Sequence, residues 1–312
     1  VSVGARAKAP GAGPGGRPVT RVAVGVLLRG DGAVLLADRP PGKPYAGHWE
    51  FPGGKIEPGE RVDEALAREL REELDLRAGP SEPWVVMEYD YPHAYVRLHF
   101  RRIRDWTGTP RPLEGQRLIF HLPGSEPPAP LLPAALPAMR WIRLPSVVAH
   151  SPGAARSAAA ALAWLEAALG RGLRLVVWHE PALDAGAAAP ALRDALALAR
   201  AHEAGLLVDV RSAASAGAAP ADLFLASDAL RAAALRPCTG WLGAAVATRD
   251  DIDHAARLGC DFAVLEGAAA SGAPHGWDDS PLPCYLEAPL QLEGLERARR
   301  AGFHGLAIRQ LP

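Results

Sequence analysis

Residues 50–76 read EFPGGKIEPGERVDEALARELREELDL, and the reading of the first half of the chain turns on them. Nine acidic residues (Glu50, Glu57, Glu60, Asp63, Glu64, Glu69, Glu72, Glu73 and Asp75) face only Lys55, Arg61, Arg68 and Arg71, in a chain of formal net charge −1. Like charges at this density repel one another. Val62, Leu66, Leu70 and Leu74 recur every four residues and predict a helix over Arg61–Leu74. On it Glu69, Glu72 and Glu73 stand at i, i+3 and i+4, on one face, with neighbouring Cβ atoms about 5–6 Å apart. A divalent cation would relieve that crowding, and hard carboxylate oxygens suit Mg²⁺ or Mn²⁺. The plainer alternative is a solvated face on which Arg68 and Arg71 form surface pairs. The residues ahead of the helix weigh against it. Gly53-Gly54 can turn tightly and bring backbone groups close to an anion or a metal. Pro58-Gly59 bends the chain again and returns Glu57 and Glu60 toward the helix start. Asp63 and Glu64 fall in the first turn, where the helix dipole favours negative charge.

Gly54, Glu60, Arg68, Glu69, Leu70, Glu72, Glu73 and Leu76 fit the pattern G-x5-E-x7-R-E-U-x-E-E-x-G-U, with U aliphatic. The segment thus resembles the Nudix box; Asp75 stands where the box has glycine, a change expected to alter the helix exit and not the chemistry. The resemblance implies an α/β/α sandwich around a mixed sheet. It also implies hydrolysis of a nucleoside diphosphate linked to another group. Metal would be held by Glu69, Glu72, Glu73 and the carbonyl of Gly53, and Arg68 would brace the loop by pairing with a box glutamate. AGHWEFPGGKIEPGE (46–60), VAVGVLL (22–28), Trp106-x-Gly108-x-Pro110 and Glu114-Gly115-Gln116 look like the MutT branch, which acts on oxidised nucleoside triphosphates. By that likeness Glu114 is a candidate general base, although a plain loop carboxylate is the alternative. Arg39, Phe51, Gly54 and Lys55 would lie at the substrate, and Glu57 and Glu60 in the loop that frames it. LLPAALP (131–137) resembles the segment that presents an asparagine to the oxidised base; the position here is Ala135, which cannot hydrogen-bond a base edge and so weakens guanine-oxide selectivity.

The 312 residues suggest two domains on a prior of about 150 residues each. Near-neutral charge gives no sign of a surface for duplex nucleic acid or a polybasic membrane patch. The cysteines, Cys238, Cys260 and Cys284, form no CxxC pair, so a disulfide framework or zinc site is not expected and a reducing cytoplasm is the plain reading. Residues 1–18 read as a flexible tail without a secretory apolar run, 19–145 as the Nudix domain and 146–312 as a second domain. In the first domain Val19–Leu36 suggests a hairpin around Asp31-Gly32, with further strands at 48–51, 84–88, 95–103 and 118–122 and a helical turn at 138–142.

From residue 146 short apolar runs (146–151, 173–178, 206–210, 222–228, 241–248, 261–267, 283–288 and 304–310) alternate with Ala/Arg-rich stretches at 157–170, 190–203, 250–258 and 291–301. This alternation predicts parallel β/α units closing into a small (β/α)8 barrel. The span is shorter than the roughly 200 residues at the low end for that fold, so several helices must be short or missing. ASDALR (226–231), WLGAAVATRDDIDHAARLGCDFAVL (241–265) and ARRAGFHGLAI (298–308) resemble the thiamine phosphate synthase/TenI barrels, and the whole chain resembles a bacterial fusion of a MutT-type Nudix domain with such a barrel. The fold class expected is therefore α/β: a Nudix sandwich followed by a TIM-barrel-like domain. Set against the synthase pattern, His179 replaces a diphosphate-binding arginine, Ala245 and Ala247 leave only Thr248 of a GxSxHT motif, and Glu287-Ala288-Pro289 replaces a Gly-Gly phosphate loop. The barrel reads as degenerate, with His179, Asp209, Asp228 and Thr248 its candidate polar residues. A helix-capping or surface role is the simpler alternative for each. Three functions follow: a Mg²⁺-dependent nucleoside triphosphate pyrophosphohydrolase acting on substrates such as 8-oxo-dGTP; a Nudix hydrolase of another nucleoside diphosphate derivative whose barrel senses a thiamine-related metabolite; or a bifunctional enzyme with thiamine phosphate synthase activity. A homodimer is compatible with each.

Overall fold

A computed structural model describes residue 13, residues 16–267 and residues 276–312. Most of the tail expected over 1–18, namely 1–12 and 14–15, lies outside the described residues. The chain forms two compact units, one running to Glu82 and from Val86 to Met139, the other comprising Pro83–Val85 and Arg140–Pro312.

The first unit is mixed α/β. Its strands are β1 (Val19–Leu27), β2 (Val34–Asp38), β3 (Trp49–Glu50), β4 (Gly53–Lys55), β5 (Arg77–Ala78), β6 (Ser81–Asp90), β7 (Tyr95–Ile103), β8 (Trp106–Thr107) and β9 (Leu118–His121). The helix α1 is Val62–Leu74, and α2 (Leu136–Trp141) ends the segment. β1 is central. It runs parallel to β7 from Val19↔Tyr95 to Leu27↔Ile103 and antiparallel to β4, in a sheet ordered β4-β1-β7-β6. A second, antiparallel sheet is ordered β3-β2-β9. The hairpin expected over 19–36 is corrected accordingly. Arg29–Ala33 does turn tightly, but β1 and β2 share only the bridge Leu28↔Val34 before entering different sheets. Each strand finds longer partners elsewhere, and these outweigh the local pairing. The three-residue strand β4 lies in a stretch that reads as loop, because two of its residues are glycines.

Leu66, Leu70 and Leu74 of α1 are fully buried with Ala23, Leu27, Leu35 and Ile103, so the four-residue spacing seats one helix face on the sheet and turns the carboxylate face away. Burying each such leucine contributes about 1.5–3 kcal/mol. The helix ends at Asp75, which adopts the left-handed conformation at φ 56° and caps it by donating its N–H to Arg71 and Leu70 carbonyls. Asp75 thus keeps the backbone geometry that a glycine would supply without strain.

The second unit is a closed parallel barrel, in the order β10 (Val147–His150), β11 (Leu175–Trp178), β12 (Gly205–Asp209), β13 (Leu223–Leu225), β14 (Leu242–Val246), β15 (Phe262–Leu265), β16 (Cys284–Glu287) and β17 (Gly305–Ile308). The last strand returns to the first through Val147↔Leu306. Each strand falls inside an apolar run singled out in the sequence, save that β12 begins one residue early at Gly205, and all are buried but for an end residue of β10, β12 and β16. The helices are α3 (Ala158–Gly170), α4 (Ala185–Ala201), α5 (Val210–Ser215), α6 (Ser227–Ala232), α7 (Arg249–Leu258) and α8 (Leu292–Arg300). α4 begins ahead of Pro190, where the sequence pattern starts it, and encloses that proline. The six-residue α5 and α6 account for the short span. Phe224, Phe262 and Tyr285 pack together in the barrel, Phe262 and Tyr285 edge-on with ring centroids 5.5 Å apart and Phe224 tilted against Phe262 at 6.4 Å. The closed barrel is consistent with the TenI-like resemblance. Among the described residues no helix is long and apolar enough to cross a membrane.

Asp75→Gly relieves the left-handed side chain and gives up only a 3.6 Å surface contact with Arg111. It should raise the unfolding free energy by about 0.5–1 kcal/mol in urea denaturation; a fall would show that the aspartate side chain, and not the backbone geometry, is what the turn requires.

Candidate active site

The carboxylate face of α1 is organised by one guanidinium. Arg68 Nε donates to Glu60 Oε1 at 2.9 Å and Nη2 to Glu60 Oε2 at 3.0 Å, while Nη1 reaches Glu69 Oε1 at 2.8 Å and Glu72 Oε2 at 3.2 Å. Nη2 also donates to the Lys55 carbonyl at 3.0 Å, so the loop from Lys55 to Glu60 is fastened to the helix. Arg68 holds the Glu60 carboxyl below the usual carboxylate range, aided by the Glu57 N–H. At the helix start Glu64 accepts from the Arg61 N–H at 2.9 Å.

The two glycines are needed for contact. A Cβ on Gly54 would sit 2.1 Å from the Glu69 carboxyl carbon, and a Cβ on Gly53, at φ 146°, would sit 2.1 Å from the Ala23 carbonyl oxygen. Glycine at both places lets β4 pair with β1 while the Glu69 carboxylate lies against the backbone.

Glu73 is a strongly perturbed carboxylate. Burial first, then the nearby charge of Glu114, push it up to about 7, with Lys43 opposing and Glu69 and Glu50 adding to the rise. Lys43 Nζ lies 2.6 Å from Glu114 Oε2 and 4.0 Å from Glu73 Oε1. Gln116 ties this loop to the end of α1: its Nε2 donates to the Glu73 carbonyl at 2.9 Å, and its Oε1 accepts from the Glu114 N–H at 2.8 Å.

The expectation that Glu69, Glu72 and Glu73 converge on one point is corrected in one respect. Among the described residues no three His, Cys, Asp or Glu side chains are gathered as a metal would require. Arg68 draws the tips of Glu69 and Glu72, and Glu73 lies toward Lys43. The donor set still fits a divalent ion: three hard carboxylates share one helix face, and burial together with neighbouring negative charge holds one of them near 7.

A family model described as the NUDIX domain matches residues 19–165. A protein called CTP pyrophosphohydrolase from Escherichia coli (strain K12) is 39% identical over 114 residues, which are 36% of this chain and 84% of that protein. The chain belongs to the Nudix family. Two proteins called 8-oxo-dGTP diphosphatase are also similar. The one from Haemophilus influenzae is 34% identical over 100 residues, 32% of this chain and 74% of the relative. The one from Escherichia coli (strain K12) is 33% identical over 96 residues, 31% of this chain and 74% of the relative. The chain is thus a Nudix hydrolase whose family acts on phosphoric anhydride bonds.

The other expected residues of the Nudix domain are placed as follows. Arg39 Nη1 grips Glu50 at 2.8 Å to each oxygen and its Nε donates to the Pro44 carbonyl at 2.7 Å. Glu50, pushed up by burial against the pull of Arg39, is a site residue that sequence reasoning left among the surplus carboxylates. Phe51, expected at the substrate, follows β3 and is buried edge-on to Phe100. Lys55 is exposed on β4. Ala135 is buried in the single turn Pro133–Ala135. Sequence reasoning also missed Lys43, Gln116 and an aromatic cluster. Tyr45 packs against His48 and Tyr91 at 5.2 and 5.4 Å, and Tyr91 against Tyr89 and His93 at 4.5 and 5.4 Å. Burial raises the Tyr91 phenol to about 12, and the charge of Glu50 adds to it. The run YDYPHAY (89–95) was the available signal.

In the barrel, His179 Nδ1 lies 3.3 Å from Asp209 Oδ1, and Asp209 also accepts from the Arg211 N–H. Arg211 pairs with Asp228 at 2.6 Å. His179, Asp209 and Asp228 line one cavity, whereas Thr248 caps α7 by accepting from the Asp251 N–H and does not line it.

The raised Glu73 fixes the sign of a pH effect. In the metal-free protein the folded state holds this proton more tightly than the unfolded chain, so its stabilising contribution is complete below the unfolded value and is lost as pH rises through about 7. Urea midpoints in EDTA should fall between about pH 5 and pH 8, by at most about 3 kcal/mol from this group, and Glu73→Gln should flatten that fall. An unchanged slope in Glu73→Gln would remove the assignment.

Proposed function

We propose that the Nudix domain is a Mg²⁺-dependent nucleoside triphosphate pyrophosphohydrolase that releases a nucleoside monophosphate and diphosphate. The observation that carries this reading is the carboxylate face of α1 set against Gly53-Gly54, with Glu73 held near neutrality. Glu69, Glu72, Glu73 and the Gly53 carbonyl would hold the metal, with Mn²⁺ able to replace Mg²⁺. A bound divalent ion neutralises phosphate charge and lowers the pKa of the attacking water. Arg68 positions Glu69 and the Glu60 loop. Glu114 is the base that takes the water proton, and Gln116 keeps it at the end of α1. Arg39, Lys43 and Lys55 supply positive charge for the phosphates. The substrates and the free cysteines fit a cytoplasmic enzyme.

The base is the open part of the substrate. Similarity to 8-oxo-dGTP diphosphatases makes 8-oxo-dGTP the first candidate. Ala135 favours a second reading, a cytidine nucleotide, in line with the similarity to a CTP pyrophosphohydrolase. In either case the half-buried Tyr45, backed by the buried Tyr91, offers the base a stacking surface where the amide is missing, such a contact contributing about 1–3 kcal/mol.

A panel of 8-oxo-dGTP, dGTP and CTP, with products resolved by ³¹P NMR, tests the reading. Diphosphate should appear, and Glu72→Gln and Glu73→Gln should each lower kcat by about 100-fold or more. Turnover within a few-fold of wild type in both variants, or release of orthophosphate from the triphosphate, would contradict it.

A further inference from the structure

The C-terminal ends of the barrel strands carry a second polar site. His150 ends β10, His179 follows β11, Asp209 ends β12, Glu266 follows β15, Glu287 ends β16 and Arg309 follows β17. Most of these side chains surround a cavity of about 410 Å³. This is the end of a parallel barrel where ligands bind, and the volume suits a small organic molecule.

Two observations define what the cavity would take. The first is charge. Every arginine on its wall is already neutralised: Arg211 by Asp228 at 2.6 Å, Arg231 by Asp251 at 2.8 Å, and Arg309 by both Glu287 at 2.7 Å and Glu266 at 2.9 Å. Arg309 therefore serves two carboxylates with one charge, and Asp209 faces only His179 and a backbone N–H. On the lining three carboxylates (Asp209, Asp228 and Glu266) face three guanidiniums (Arg211, Arg231 and Arg309), and Asp251 and Glu287 beside it pair with two of the same arginines, so an incoming phosphate meets no unpaired arginine. The second is His150. It is 4% exposed and lines the cavity, with its ring edge-on to Phe224 at 5.0 Å. Its Nε2 is buried without a hydrogen-bond partner, an unfavourable state that a donor in the cavity would relieve. Burial holds this imidazole neutral, its pKa lowered to about 3, with Arg309 adding to the effect. In the tautomer protonated at Nδ1, Nε2 accepts a hydrogen bond and cannot attract an anion.

We propose that the barrel mouth binds a small organic cation bearing an N–H donor and an aromatic or apolar body. The N–H meets Nε2 of His150, the body packs on Phe224 and Val177, and the positive charge faces Glu266 and Asp209. The site is independent of the nucleotide reaction on α1.

Benzylammonium serves as the cation probe, benzyl alcohol as its uncharged counterpart and inorganic diphosphate as the anion. Each is titrated into the full chain at millimolar concentration, and the His150 imidazole resonances are followed by long-range ¹H–¹⁵N NMR. Assignment uses the signal lost in His150→Gln. Benzylammonium should shift that signal saturably, and diphosphate should leave it in place. Glu266→Gln, with an unchanged melting temperature as the folding control, should weaken benzylammonium binding about fivefold. Benzyl alcohol binding as tightly as benzylammonium, diphosphate shifting His150 saturably, or no saturable shift with benzylammonium would each overturn the proposal.

Discussion

Crowded carboxylates on one helix face are the constraint around which the Nudix domain is built. With Leu66, Leu70 and Leu74 facing inward, α1 leaves Glu69 and Glu73 partly buried at the edge of that face and Glu72 exposed beside them. Arg68 answers part of that charge with hydrogen bonds to Glu60, Glu69, Glu72 and the Lys55 carbonyl, and Lys43 answers another part through Glu114. Glu73 is left with burial and like charge, which is why its proton is held to about 7. The same features underlie the proposed divalent-ion site: negative charge gathered at fixed spacing, backbone made accessible by two glycines, and a loop braced from outside.

How much of this could be read beforehand differs by level. The box was legible because its residues are local: helical period and glycine position are both properties of one stretch. The exit at Asp75 was not legible: the aspartate is expected to alter the turn, yet it keeps the left-handed cap at φ 56°. What needed the fold was any pairing across distance. Glu50 looks like one more surplus acid until β3 brings it to Arg39, and Gln116 looks like a loop residue until it meets the Glu73 carbonyl. The hairpin expectation failed for the same reason. The Asp-Gly turn is real, but parallel pairing of β1 with β7, far away in sequence, decides where the strand goes.

In the barrel the strand count was legible from apolar runs alone, since strands buried on both sides carry little polar interruption. The short α5 and α6 were not, because six-residue helices leave no period to detect. The candidate polar residues divided once the fold was known. Thr248 is accounted for by capping α7, while His179, Asp209 and Asp228 share a cavity with His150, a residue that sits inside an apolar run and so drew no attention.

The central claim is that the repulsion on α1 is what binds a divalent ion. Titration with Mn²⁺ followed by electron paramagnetic resonance measures this without any substrate. The account predicts saturable Mn²⁺ binding to the wild-type chain, weakened at least about tenfold in Glu73→Gln and competed by Mg²⁺. Equal Mn²⁺ affinity in the two proteins, or no binding to the wild type, would contradict it.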